Sequence, residues 1–144
     1  MSINWSKSVI KDKSIFVLDS YALLAFLENE TGSQRVHELL DLAKIGKIQV
    51  SMSIVNLGEV LYITERERGL PITQKVLALI EELPITIEEA TRDLVFGAAH
   101  IKARHAVSYA DAFAAAQSIL QKAILITGDT EFKSIEKEIT IEWI

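Results

Sequence analysis

The sequence contains no cysteine, two prolines and six glycines in 144 residues. Without cysteine there is no disulfide, no thiolate metal site and no cysteine nucleophile, and the chain suits a reducing compartment such as the cytoplasm. So little proline and glycine, beside 49% apolar and 24% charged residues, excludes a disordered, collagenous or low-complexity chain. Positive charge is also short: 15 Lys and Arg against 20 Asp and Glu give a net charge of −5. That is the wrong sign for coating nucleic acid through a broad basic face. It leaves open a site where metal cations neutralise local carboxylates and then face phosphate. No apolar run reaches the ~18 residues that a transmembrane helix requires. Lys7, Lys11 and Lys13 precede the apolar stretch 15–27, but Asp19 interrupts it and no small-x-small cleavage site follows, which argues against a signal peptide. A soluble, cytoplasmic protein is expected. A mean hydropathy of +0.24 points to apolar surface covered by a partner or a second copy.

Several familiar chemistries are missing as well. His100 and His105 are five apart, so a helix would put them on different faces, unlike the i, i+4 pair of a zinc site, and His37 stands alone. No nucleophile elbow supports a Ser-His-Asp triad. Gly58, Gly69 and Gly128 are isolated, so there is no phosphate-cradling loop. Trp5 and Trp143 sit near the termini, where packing is a commoner role than stacking on bases.

What the sequence does have is alternation of strand and helix. Strands are expected at 15–19, 48–51, 84–87, 123–127 and 139–143, from short β-branched or alternating runs. Helices are expected at 20–28, 33–45 with Gly46 as its stop, 52–68, 73–83 with Thr73 as N-cap, 88–104 and 109–121, with a short helical segment at 131–135. Ala112 to Ala116 make one helix alanine-rich, which suits core packing or a dimer contact. Strand–helix alternation over one length of chain predicts a parallel sheet covered by helices on both faces.

Ligands of such sheets bind at the carboxyl ends of the strands. Asp19 ends the first strand and Asp129 lies just past the fourth. Glu59 stands among aliphatic residues in mid-helix, where a lone buried charge costs several kcal/mol and must be paired, protonated or metal-bound. Asp111 falls in the first turn of the alanine-rich helix. Each Asp also has a structural reading, because Asp19 and Asp129 can cap the helical turns after them and Asp111 lies at capping-box spacing from Ser108. Taken together, four carboxylates without cysteine suit Mg²⁺ or Mn²⁺, hard ions that take oxygen ligands and promote phosphodiester hydrolysis.

The segments Phe16-Val-Leu-Asp19-Ser-Tyr-Ala-Leu-Leu-Ala-Phe-Leu27, Asn56-Leu-Gly-Glu59-Val-Leu-Tyr62, Ser108-Tyr-Ala-Asp111-Ala and Thr127-Gly-Asp129-Thr-Glu-Phe132 together resemble a PIN domain, and more narrowly a VapC-type toxin ribonuclease of a toxin–antitoxin pair. The resemblance implies one domain over 1–144, an α/β/α sandwich with a parallel sheet, and an acidic pocket for Mg²⁺ or Mn²⁺. It further implies cleavage of single-stranded RNA, a homodimer, and inhibition by a small antitoxin protein. Asp19, Glu59 and Asp111 match the most regular acids of the family pocket and Asp129 the more variable fourth, as catalytic and metal-binding residues. Ser20, Asn56 and Thr127 match supporting positions beside them. Arg66, Arg68, Arg92, Lys102 and Arg104 are candidates to flank the RNA, although solvated helix faces use the same residues. The rival from another class is a binding module in which the same acids cap helices or hold a metal without catalysis. A receiver-like or phosphatase-like protein is weaker, since no Asp-x-Asp stands at 19–21.

Overall fold

Strand β1 (Ile15–Leu18) divides its four side chains between two cores. Val17 enters one cluster and Phe16 and Leu18 the other, as the two-residue period of a strand dictates. The computed structural model describes residues 13–144, so Trp5, Lys7 and Lys11 lie outside the described residues. After β1 come α1 (Ser20–Leu27), α2 (Ser33–Lys44), β2 (Gln49–Ser53), α3 (Ile54–Arg68), α4 (Leu70–Glu82), β3 (Thr86–Glu88), α5 (Arg92–Arg104), α6 (Tyr109–Gln121), β4 (Ile124–Thr127), a 3-10 turn (Thr130–Ile135) and β5 (Thr140–Trp143). The strands form one sheet in the order β3, β2, β1, β4, β5, and every neighbouring pair is parallel. The expected α/β sandwich with a central parallel sheet is therefore present.

One face of the sheet carries α5 and α6. Val17 and Leu125 meet Leu94, Ala98, Ile101 and Phe113 there. Ala112 and Ala114 to Ala116 are all buried, and a methyl placed on Gly97 of α5 would sit 3.4 Å from the Ala116 methyl. The alanine stripe thus serves close packing of α5 on α6 within one chain, not a contact between chains. The other face carries α1 and α2 over Phe16, Leu18, Val50 and Ile126, while Leu23, Met52, Leu57, Val60 and Ile80 join α1, α3 and α4.

The strand expected at 84–87 is shifted to Thr86–Glu88, and three helix starts depart from the sequence expectations because a cap decides each. Met52 and Ser53 belong to β2, pairing with Ile87 and Glu88, and the Ser53 hydroxyl starts α3 by accepting from Val55 N. Thr73 is not an N-cap. Gly69, at φ 86°, closes α3 and opens α4, and the Thr73 hydroxyl inside α4 donates back to the Gly69 carbonyl at 2.9 Å. Glu88 ends β3, and α5 waits for Thr91, whose hydroxyl accepts from Leu94 N. Trp143 closes β5 opposite Thr127 and is 38% exposed, a half-packed end.

Leu125 is fully buried at the centre of the α5–α6 face. Leu125→Ala is expected to destabilise the chain by roughly 2–5 kcal/mol through lost burial and a cavity, read from urea unfolding with an unchanged m-value.

Candidate functional site

A parallel sheet opens a crevice where the strand order reverses. Here the chain runs outward from β1 through β2 to β3, then crosses back to β4 and out to β5. The reversal falls between β1 and β4; Asp19 follows β1 directly, and Asp129 lies two residues past the end of β4.

Asp19 is 1% exposed and uses both oxygens. One accepts from Ala22 N at 2.8 Å, capping α1, and the other accepts from the Thr127 hydroxyl. That hydroxyl also accepts from Asp129 N at 2.9 Å. Thr127, the last residue of β4, thereby binds the two acids into one unit. Asp129 caps the 3-10 turn by accepting from Glu131 N at 2.9 Å. The Ser108 hydroxyl caps α6 by accepting from Asp111 N at 3.1 Å. Capping therefore accompanies the clustering of acids and does not replace it.

Asp111, Asp129 and Glu131 each place a carboxylate oxygen so that all three lie within 4.8 Å of one another. Glu131 was not singled out from the sequence. Its signal is weak: a second acid in the first turn behind an acidic N-cap reads equally well as complementing the turn's backbone dipole. Asp19 and Glu59 stand outside this tightest trio but close enough to act on its charge, as the titration shifts show.

Glu59, which the sequence places among aliphatic neighbours in mid-helix, is not sealed from solvent. The buried stripe of α3 is Asn56, Leu57, Val60 and Thr64; Glu59 lies on its border, half-exposed, with the Tyr62 hydroxyl 3.5 Å away. Asn56 is fully buried. Its amide nitrogen donates to Ser20 Oγ and to the Ala110 carbonyl, both at 3.2 Å, while Ser20 Oγ donates to the Asn56 carbonyl at 3.1 Å. One α3 side chain is thus fastened to the residue after Asp19 and to the residue before Asp111. Its own carbonyl oxygen, Oδ1, has no hydrogen-bond partner among the described residues.

Burial pushes the Asp19 carboxyl up to about 7, against the opposing bonds from Thr127 and Ala22 and with a further push from Asp129 and Glu59. Burial and then the charges of Asp129, Asp19, Glu131 and Glu59 push Asp111 up to about 8. Both shifts follow from removing a charge from water and surrounding it with like charges. None of the ion pairs among the described residues includes any of the five acids. The expected flanking cations are largely occupied elsewhere: Arg68 pairs with Glu28 and Arg104 with Glu138, Arg66 lies over the Tyr62 ring and Arg92 over the Phe96 ring.

All five donors are carboxylates, the hard ligands that Mg²⁺ and Mn²⁺ take. Oxygens on one such ion, at bonds of ~2.1 Å, are separated by at most about 4.2 Å, so the trio needs little adjustment to share one. The uncompensated charge and the raised proton affinities are what a divalent cation would relieve. The residues present fit the group.

A family model described as PIN domain matches residues 16–138. No curated protein matches the sequence significantly. Among solved structures, VapBC2 of Rickettsia felis, bound to a DNA fragment from its promoter, is similar at 19% identity over 89% of this chain and 97% of that one, with a TM-score of 0.69. DNA-bound VapBC of Salmonella typhimurium is similar at 16% identity over 90% and 97%, TM-score 0.70. VapC20 of Mycobacterium tuberculosis, a toxin that cleaves the sarcin–ricin loop, is similar at 21% identity over 88% and 97%, TM-score 0.66. These structures share the fold with this chain.

A raised carboxyl pKa means that the folded, metal-free chain retains a proton which the unfolded chain has already released. Stability from this source is intact below about pH 4 and is lost as pH rises toward the folded values of about 7 and 8. Asp111→Asn removes the penalty. In metal-free buffer the variant should melt a few degrees above wild type at pH 8, with the difference shrinking toward pH 4; differential scanning calorimetry across that range checks it.

Proposed function

Because this chain belongs to the PIN domain family, we propose that it is a Mg²⁺- or Mn²⁺-dependent endoribonuclease cutting single-stranded RNA, and the toxin of a type II toxin–antitoxin pair. The observation that carries this reading is the convergence of five carboxylates, with no cationic partner among the described residues, on the point where the strand order reverses. The family match and the fold shared with VapC toxins support it.

In this reading Asp19, Glu59, Asp111 and Asp129 are the catalytic acids and hold the metal, with Glu131 joining them. When bound, the cation supplies Lewis acidity, lowering the pKa of a water and neutralising charge on the phosphodiester. Asp19 and Asp111 release their retained protons on loading, which makes loading tighter as pH rises. Thr127 fixes the orientation of Asp19 and Asp129, while Ser20 and Asn56 hold α1, α3 and the start of α6 in register behind the acids, the role that residues backing metal ligands have generally.

The partners follow from the same family reading: a small antitoxin protein and a second copy of this chain, in the cytoplasm. Among the described residues no helix is long and apolar enough to cross a membrane. Tyr62 on α3 and Leu70, Ile72 and Leu79 on α4 are each more than a third exposed, and they supply apolar surface for such contacts to cover.

The test is cleavage of mixed RNA by the purified chain with Mn²⁺ or Mg²⁺, with and without chelator, beside Asp19→Asn and Asp111→Asn. Wild type should cut only with metal. Each variant should fall by more than about 100-fold, the upper end of what losing a residue behind a metal ligand costs, with unchanged circular dichroism. Asn retains the capping ability of Asp, so the fold is spared. Full activity in both variants refutes the assignment.

A further inference from the structure

Tyr21 belongs to none of the clusters that hold the fold together. It sits two residues after Asp19, between buried Ser20 and buried Ala22, and is itself 43% exposed. Its ring lies against Gly128, the residue between Thr127 and Asp129. A methyl built on Gly128 would fall 2.3 Å from Tyr21 Cε1 and 2.6 Å from Cζ. The backbone of Gly128 has no positive φ, so what a side chain there would meet is not a strained turn but the Tyr21 ring and, 3.0 Å away, the Ile144 backbone carbonyl. An exposed aromatic is thus seated on the loop that carries one acid, two residues beyond the helix cap that is another.

The same residue walls a groove. Tyr21, Leu24 and Ala25 of α1, with Glu30 and Thr31 beyond it, line an open space of about 340 Å³. A lining that combines an aromatic and apolar residues with an acid and a threonine suits a planar ring with hydrogen-bond donors on its edge. A phosphate would be repelled by Glu30. A nucleobase has the matching features, since its faces stack on aromatic side chains and its exocyclic amine donates to a carboxylate.

We propose that this groove is a nucleobase subsite, in which Tyr21 stacks an unpaired base of the RNA next to the scissile phosphate and Glu30 accepts a hydrogen bond from that base's exocyclic amine. Tyr21 is then a specificity-determining residue, and a base with an exocyclic amine (adenine, guanine or cytosine) is favoured over uracil at one position beside the cut. The inference rests on the proposed RNA cleavage and deepens it.

Two readouts test it, on wild type, Tyr21→Phe, Tyr21→Leu and Glu30→Gln, with circular dichroism confirming that each is folded. The first is steady-state cleavage of a single-stranded oligonucleotide library with the cut sites sequenced. The second is quenching of 2-aminopurine placed in an oligonucleotide and bound by the chain carrying Asp111→Asn alone or combined with each substitution. Tyr21→Leu should raise KM about tenfold or more with a smaller change in kcat and lose the quenching, whereas Tyr21→Phe should retain both. Glu30→Gln should flatten the base preference at a single position. If wild type cuts RNA while Tyr21→Leu has unchanged KM, cut sites and quenching, the subsite is wrong and the nuclease stands. If wild type neither cuts nor binds the library, the nuclease reading fails and the subsite fails with it.

Discussion

Like charge held out of water, with no counter-charge among the described residues, is the constraint on which the rest of this structure depends. Asp19 and Asp111 are both nearly inaccessible to solvent, both titrate well above the ordinary carboxylate range, and both feel Asp129 and Glu59 as neighbours of the same sign. Such an arrangement works against folding in the absence of metal, because each acid either retains a proton or repels the others. The surroundings hold it in place nonetheless. Thr127 ties Asp19 to the backbone at Asp129, and Asn56 ties α3 to both Ser20 and the carbonyl before Asp111. The hydrogen bonds that position the acids come from residues with no charge to contribute, so the negative potential is left intact.

The scaffold explains how four separate stretches of sequence reach one point. Parallel pairing aligns the carboxyl ends of β1 and β4, and the change of direction between them opens the crevice. Helix caps then complete the geometry. Asp19 and Asp129 are the caps of α1 and of the 3-10 turn, so the start of each helical element fixes an acid, and the aligned backbone amides of those first turns face the crowded negative charge. A capping residue and a site residue are usually weighed as rival interpretations. Here a single side chain serves as both, one oxygen satisfying the cap while the carboxylate as a whole contributes to the field.

Much of this was legible in the sequence, for identifiable reasons. The runs 15–19 and 123–127 announce buried strands because a parallel strand covered on both faces has no polar side to dilute it, and their trailing Asp residues marked the crevice. Element starts were less legible: at Ser53 and Thr91 a cap starts the helix later than the periodicity suggests, and at Gly69 a cap starts the helix earlier, ahead of Thr73. The depth of Glu59 was not legible, since aliphatic neighbours along the chain do not reveal which edge of a helix meets solvent. Glu131 was passed over because an acid after an acidic cap has an ordinary electrostatic explanation, and only the fold shows that its carboxylate reaches Asp111. The alanine stripe pointed to close packing without identifying its partner, which is Gly97 and its helix.

The central claim is that the charge imbalance exists for a divalent cation. Calorimetric titration of metal-free protein with Mn²⁺, repeated in two buffers of different ionisation enthalpy, tests that claim without reference to any substrate. The account predicts saturable binding with net proton release at pH 6 to 7, tighter at pH 8. Binding that is absent at millimolar Mn²⁺, or that releases no proton and is indifferent to pH, would contradict it.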